Sequence, residues 1–307
     1  MEDKSPHIPV MYSEIADLDI KYDGIYIDCT LGFGGHSSSI LEKLTGDGRL
    51  IGLDVDPYAL SYSSRKLSKF ENLFIPIHSN YRNFPQVLKN LKIRKVDGMI
   101  FDLGISSYQI DEEHRGFSYI NNGPIDMRMD NSSGSTALDF LKNVSKEELG
   151  LILKEYGDVR NYKKISHKII EKLYKEKFKD TFSLRDAIQE AVSAKNINKI
   201  AAQVFQAIRI KVNNEVEVLS ETLSMIPDYI DKNGFVAVIS FHSIEDRLVK
   251  NFFRNNYNNK SKNKYSSLES NNQLFRFITK KPIRPTSDEV KDNPRSRSAK
   301  LRYGIAN

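Results

Sequence analysis

The chain carries one cysteine, Cys29, and six scattered histidines in 307 residues. A single thiol excludes an intrachain disulfide, and no His/Cys cluster has metal-ligand spacing, so no metal site is expected. No run approaches the ~18 apolar residues that cross a bilayer. The first residues, Met1-Glu-Asp-Lys-Ser-Pro-His, lack the apolar stretch of a secretory signal, and the expectation is a cytoplasmic protein with no membrane partner. What is present suits a globular chain: 39% hydrophobic and 28% charged residues supply a core and argue against disorder. The length predicts about two domains, or one with a large insertion.

The net charge of +6 is concentrated at one end. Residues 273–307 hold nine bases (Arg276, Lys280, Lys281, Arg284, Lys291, Arg295, Arg297, Lys300, Arg302) against three acids (Asp288, Glu289, Asp292), an excess of six. A localised basic surface suits a polyphosphate partner, and a solvated basic tail is the plainer alternative.

Short apolar runs at 25–29, 49–54, 73–77 and 96–103 alternate with helical periodicity (Ile40, Leu41, Leu44; Ala59, Leu60, Ser63, Leu67), the pattern of a parallel βαβ sheet. From about 108 to 200 turn signals and helical spacing replace strands. One long amphipathic helix is predicted from Val204 to Ile226, after which Gly234-Phe-Val-Ala-Val-Ile-Ser-Phe reads as a strand again. Final strands are expected near 274–279 and 299–305, and 255–272, rich in Asn, Ser and Lys, as a mobile loop. The topology is a doubly wound α/β sheet interrupted by an all-helical insertion.

Asp28-Cys-Thr-Leu-Gly-Phe-Gly34-Gly35-His36 falls where the first strand turns into a helix, so its glycines permit close backbone approach to a ligand. A plain tight turn explains the loop alone equally well. Asp54, 20 residues after Gly34 at the second strand's end, is placed to accept both hydroxyl protons of a ribose; Asp56 is the better N-cap for the helix at Pro57. Asp102 ends the fourth strand at the same edge. Position 37 is serine, not the third glycine of a dinucleotide loop, and Gly-Lys-Ser/Thr is absent, so a diphosphate ligand is not supported. S-adenosylmethionine, with a ribose, an adenine and a cationic sulfonium but no phosphate, fits an acid-lined pocket better.

Seven blocks in order, Asp28-Cys-Thr-Leu-Gly-Phe-Gly-Gly-His-Ser, Asp102-Leu-Gly-Ile-Ser-Ser, Arg115-Gly-Phe-Ser, Gly123-Pro-Ile-Asp-Met-Arg-Met-Asp, Phe205-Gln-Ala-Ile-Arg-Ile, Ser240-Phe-His-Ser-Ile-Glu-Asp-Arg and Asn293-Pro-Arg-Ser-Arg-Ser-Ala-Lys-Leu-Arg, resemble the ribosomal RNA small subunit methyltransferase H family from His7 to Arg302. The resemblance implies a class I S-adenosylmethionine-dependent methyltransferase fold, a Rossmann-like doubly wound sheet with an all-helical inserted domain. Its parts would be a first methyltransferase segment 1–107, a helical insertion 108–200, and a second segment 201–307 with the basic C-terminal region. It implies methylation of the exocyclic N4 of a cytidine in the decoding region of 16S ribosomal RNA, expected within the small ribosomal subunit. Carried over by position, the cofactor contacts are Gly34, Gly35, His36, Asp54, Tyr81, Asp102 and Gln109. Cys29 stands where the family commonly has Gly, and Tyr108 where it has Pro.

Methyl transfer from a sulfonium is an in-line displacement that requires alignment and no metal. The N4 lone pair is delocalised into the ring, so acceptors must hold the amino hydrogens and receive a proton afterward. Asp102 and the segment through Ser106 are the expected catalytic stretch, with the orienting oxygen either the Asp102 carboxylate or a backbone carbonyl. Cys29 is badly placed for a C5 mechanism, and the Asp/Asn-Pro-Pro-Tyr/Phe tetrapeptide of many DNA amino-methyltransferases is absent. His242 either faces the target base or is a structural donor, while Ser243 with Asp246 resembles a capping box. Arg115, Asp126 and Arg128 fold over a flipped-out base in one reading and form an ordinary ion pair in the other. Arg295 and Arg297, with Lys300 and Arg302, are expected to hold RNA phosphates, each pair on one face of an extended strand. The alternative is a non-catalytic S-adenosylmethionine-binding RNA-binding protein.

Overall fold

The computed structural model describes residues 9–175, 178–192, 197–257 and 274–307. They divide into two units: residues up to 104 with 217–307, and residues 105–216. The expected break at 200 falls inside the helix Ile197–Val212, and the division lies at Val216 instead.

Among the described residues the first unit holds all seven strands: β1 (Ile25–Asp28), β2 (Arg49–Asp54), β3 (Phe74–His78), β4 (Val96–Asp102), β5 (Ile230–Ser240), β6 (Phe275–Ile278) and β7 (Lys300–Ala306). Their order is β3-β2-β1-β4-β5-β7-β6. The first five pair in parallel, and β7 and β6 add an antiparallel edge. This is the doubly wound sheet that the alternating runs predict.

Side chains alternate between two buried faces, which is why the strands read as continuous apolar runs. Ile27, Met99, Phe101, Val236 and Val238 pack with Phe84, Val87, Leu88, Leu219, Leu223 and Phe253 on one side. Tyr26, Ile100, Phe235, Ala237 and Ile239 pack with Ile15, Ile40, Leu41 and Leu67 on the other. Each such fully buried side chain contributes ~1.5 to 3 kcal/mol of transfer free energy. The chain leaves β1 toward β2 on one side while β4 lies on the other, so the loops after β1 and β4 diverge and open a crevice at the carboxyl edge.

The second unit is helical, with no strand among its described residues. Its helices Lys146–Gly157, Tyr162–Tyr174, Thr181–Ala191 and Ile197–Val212 bury Leu149, Leu153, Ile165, Ile169, Leu184, Ile188, Val204 and Ile208 in one core. The helix starts are chemically marked. Ser145 accepts from the Glu148 N–H, while Thr136 with Asp139 and Asp180 with Ser183 form reciprocal capping boxes. Gly157 has a packing reason, since a Cβ there would sit 2.5 Å from the Gln203 carbonyl oxygen.

The single long helix predicted to Ile226 is two helices, Ile197–Val212 and Glu215–Met225. Asn214 adopts φ 50°, and Asn213 turns its side chain to the Met127 and Arg209 carbonyls and the Met129 N–H. A bidentate Arg209–Glu215 pair at 2.8 Å closes the turn. Apolar spacing continues through the break, which hides it from periodicity. Of the expected mobile loop, 258–272 lies outside the described residues; Asn255 and Asn256 belong to the helix Ser243–Asn256. No helix among the described residues is long and apolar enough to cross a membrane.

Candidate functional site

Asp28, Asp54 and Asp102 are the last residues of β1, β2 and β4, so the parallel sheet brings three carboxylates to one edge. The loop after β1 is fastened to both neighbouring strands. Asp28 accepts from the Thr30 N–H (3.1 Å) and the Ser37 hydroxyl (2.7 Å). The Asp102 N–H donates to Thr30 Oγ1 at 2.6 Å, and the Leu31 N–H to the Leu53 carbonyl at 2.9 Å. The Gly32 N–H donates to Asp54 Oδ2 at 2.7 Å. Gly34 then takes φ 70°, ψ 26° as N-cap of the helix Gly35–Leu41, a left-handed conformation that disfavours any Cβ.

Asp54 serves the loop first. Its two oxygens accept from the Gly32 and Asp56 N–H groups at 2.7 and 2.8 Å. A carboxylate offers about four acceptor positions, so capacity for ribose hydroxyls remains. Burial pushes its pKa up to about 6 against the pull of those two N–H groups. Asp56 caps the helix Pro57–Lys66, accepting from the Tyr58 N–H, as the sequence predicts.

His36 and Asp102 face each other across the crevice. Nε2 lies 3.6 Å from Asp102 Oδ2, too far for a hydrogen bond and close enough for charge attraction. Burial pushes the imidazole pKa down, but Asp102, with Asp28 and Glu289 beyond it, outweighs burial and raises it. Burial likewise raises Asp28, against the Ser37 hydroxyl and His36. Both ring nitrogens of His36 and Oδ1 of Asp102 are buried without a hydrogen-bond partner among the described residues. Leaving such atoms unmet costs ~1 to 3 kcal/mol each, so their presence at a strand edge points to a polar ligand. Polar groups of a bound cofactor match the His36 nitrogens, and a donor such as an amino hydrogen matches Asp102 Oδ1. Gly35 lies behind the loop, where a Cβ would meet Pro9 Cγ at 2.2 Å. Tyr81, in the turn after β3, stands edge-on to Phe101 of β4 at 5.8 Å.

The other residues singled out in the sequence are held differently. Ser106 caps the short helix Ser107–Asp111 in a reciprocal box with Gln109, at 3.2 and 3.1 Å. Arg115 is buried and donates to the Arg128 and Met129 carbonyls at 3.0 and 2.8 Å. Arg128 pairs bidentately with Asp126 at 2.8 and 2.7 Å, so the ion pair exists, partly buried rather than on the open surface.

His242, not Ser243, is the N-cap of the helix Ser243–Asn256, and its partner is Glu245 rather than Asp246. Glu245 accepts from the Phe241 and His242 N–H groups, and His242 Nε2 lies 3.1 Å from Glu245 Oε1. Asp246 instead binds Lys300 Nζ (3.0 Å) and Arg302 Nε (2.8 Å), which corrects the assignment of those two cations to phosphate. Burial raises the Asp246 pKa, but the two cations outweigh it and hold the group below its ordinary value. Arg295 and Arg297 lie in the exposed 3₁₀ turn Pro294–Ser298, so they are not the alternating pair of an extended strand.

Sequence reasoning missed Asp28, Thr30 and Ser37 as working parts. The only available signal was the Asp-x-Thr spacing at a strand end, which allows a side chain to accept from the backbone two residues on.

The chain matches the MraW methylase family over residues 4–305. It is similar to ribosomal RNA small subunit methyltransferase H of Clostridium botulinum, 42% identical over 96% of this chain and 97% of that protein. The Mycoplasmopsis synoviae protein of the same name is 43% identical over 97% of each, and that of Carboxydothermus hydrogenoformans 42% over 96% of each.

Proposed function

Because the chain belongs to the MraW methylase family, we propose that it transfers a methyl group from S-adenosylmethionine to the exocyclic N4 of a cytidine in the decoding region of 16S ribosomal RNA. It acts in the cytoplasm, on RNA within the small ribosomal subunit. The observation that carries this reading is the buried, unpartnered Oδ1 of Asp102 beside His36, at the switch point of the sheet and next to the glycine loop.

The protein's share of the chemistry is placement. Asp54 accepts the ribose hydroxyls while keeping the loop amides of Gly32 and Asp56 in register. The left-handed turn at Gly34 and the packing of Gly35 against Pro9 set the course of the loop, and the Tyr81 ring offers the adenine a face. When bound, S-adenosylmethionine would supply a methyl carbon on a sulfonium, with the neutral thioether as leaving group for in-line transfer to N4. Asp102 Oδ1 accepts an amino hydrogen of N4, turns the lone pair toward the methyl carbon, and takes the proton that must leave. His36, drawn toward Oδ2, holds the carboxylate with Oδ1 free to serve.

Transfer of tritium from labelled S-adenosylmethionine to small ribosomal subunits tests the proposal, with the modified nucleotide mapped afterwards. Label at a cytidine N4 is the expected result. Cofactor and RNA binding with no incorporated label would sink the enzyme and leave the non-catalytic binding protein.

A further inference from the structure

The antiparallel edge of the sheet carries a feature that the methyl-transfer site does not use. Phe277 on the edge strand β6 is 44% exposed, and its ring lies beside that of Tyr303 on β7, centroids 5.5 Å apart and planes at 39°. Residues 275–286 contain four bases, Arg276, Lys280, Lys281 and Arg284, and no acid. Lys280, Lys281 and Arg284 are exposed, and none is in an ion pair among the described residues. Their neighbours on β7 contrast with them, for Lys300 and Arg302 are both bound to Asp246.

The direction of this segment matters. β6 runs antiparallel to β7, and β7 antiparallel to β5, so β6 climbs toward the carboxyl edge where β5 ends. Beyond β6 the chain stays on the same edge. The Thr279 N–H donates to the Tyr303 carbonyl at 2.9 Å, and Ile283 exchanges backbone hydrogen bonds with Leu301 at 2.9 and 3.0 Å. Leu301 and Lys300 pair with Ile239 and Ser240, the last residues of β5. The turn Pro294–Ser298, whose Arg295 and Arg297 are exposed, stands just before Lys300. Aromatic faces at the lower end and cations along the way up thus form one course that ends at the edge bearing Asp102.

We propose that this course, Phe277 and Tyr303 followed by Lys280, Lys281 and Arg284, binds the single-stranded RNA that flanks the methylated nucleotide. The inference rests on the RNA substrate proposed above and adds the surface that holds it. Aromatic rings stack on bases of any sequence, and unpaired cations beside them neutralise successive phosphates. Protection of an exposed edge strand accounts for lysines there, but not for an exposed phenylalanine ring. A solvated basic tail accounts for neither the ring pair nor the unbroken absence of acids.

The test uses the full chain and fluorescence anisotropy of a fluorescein-labelled single-stranded RNA of the decoding-region sequence, across a salt series. The triple variant Lys280→Glu, Lys281→Glu, Arg284→Glu keeps the edge charged, so solubility is preserved. It is expected to weaken RNA binding at least about tenfold and to reduce the slope of log affinity against log salt by about two, at ~0.7 for each phosphate no longer neutralised. Phe277→Ala is expected to weaken binding about tenfold with the slope unchanged. S-adenosylmethionine affinity, read by calorimetry, stays at the wild-type value in both and shows that the site is folded. If the wild type methylates RNA and the triple variant binds it with unaltered affinity and slope, the RNA course is wrong while the enzyme stands. Should the wild type neither bind this RNA nor transfer label to small ribosomal subunits, the functional proposal fails and this inference with it. Displacement of the RNA by polyglutamate at equal charge concentration overturns it in favour of an acidic protein partner.

Discussion

Two clusters of charged side chains treat their polar atoms in opposite ways. At the carboxyl ends of β1 and β4, His36 and Asp102 hold three buried atoms unmet and make no hydrogen bond to each other. In the turns of residues 115–134, Arg115 reaches two backbone carbonyls, and Arg128 reaches both oxygens of Asp126 and the carbonyls of Ser133 and Gly134. Both clusters come from blocks with the same sequence resemblance. The difference separates groups kept ready for a ligand from groups that serve as internal struts.

The sharpest test of that separation is Asp102→Asn. Methyl transfer is expected to fall at least ~10²-fold, the usual worth of a positioned proton acceptor. The melting temperature should hold, because the amide keeps the side chain's shape and no hydrogen bond of the Asp102 side chain is broken; a large fall would place Asp102 among the struts. Arg115→Met should do the reverse. Two carbonyls lose their donor, so unfolding free energy drops by ~2 to 4 kcal/mol, while kcat per folded molecule is retained. A normal melting curve with impaired RNA methylation would return Arg115 to the substrate.

Asp54 stands between these classes, since it ties down the loop and keeps acceptor capacity. Asp54→Asn is expected to weaken S-adenosylmethionine binding about tenfold, within the ~1 to 3 kcal/mol of a charged hydrogen bond, as calorimetry would show. Its pKa of about 6 adds a pH signature. The carboxylate form is the better acceptor, so affinity in the wild type should weaken as pH falls through about 6, and the Asn variant should be flat there. Stability moves in the opposite sense. The folded protein holds this proton more tightly than the unfolded chain, so its contribution is full below the ordinary value of 3.8 and is lost as pH rises through about 6. The smallest effect is expected from His242→Asn. Asparagine is a good N-cap, so stability should change by under ~0.5 kcal/mol and methyl transfer by less than about twofold. A strong loss of transfer without a stability change would show that His242 touches the base.

Local signals carried the architecture well and the partnerships poorly. Runs at 49–54 and 96–103 gave β2 and β4 because a strand buried on both faces is apolar throughout. Asp56 was readable as a cap because its partner is two residues away. The bend at Asn214 was not readable, since its cause is tertiary: Asn213 is anchored to Met127 and Met129, more than eighty residues earlier. The same applies to Lys300 and Arg302, whose common partner Asp246 lies 54 and 56 positions away. The cap at His242 was misplaced by one residue because Ser243 and Asp246 have the same spacing and favourable residue types. At the crevice, sequence placed the carboxylates on one edge, but only the folded structure reveals which oxygen is left without a neighbour.

The hydrogen bond from the Asp102 amide to Thr30 Oγ1, with those from Leu31 and Gly32 to β2, has a thermodynamic consequence. A segment riveted at both flanks has already given up its conformational entropy when the chain folds. Each arriving ligand therefore meets a mould that is set beforehand, and its binding energy is not diverted into ordering the receptor.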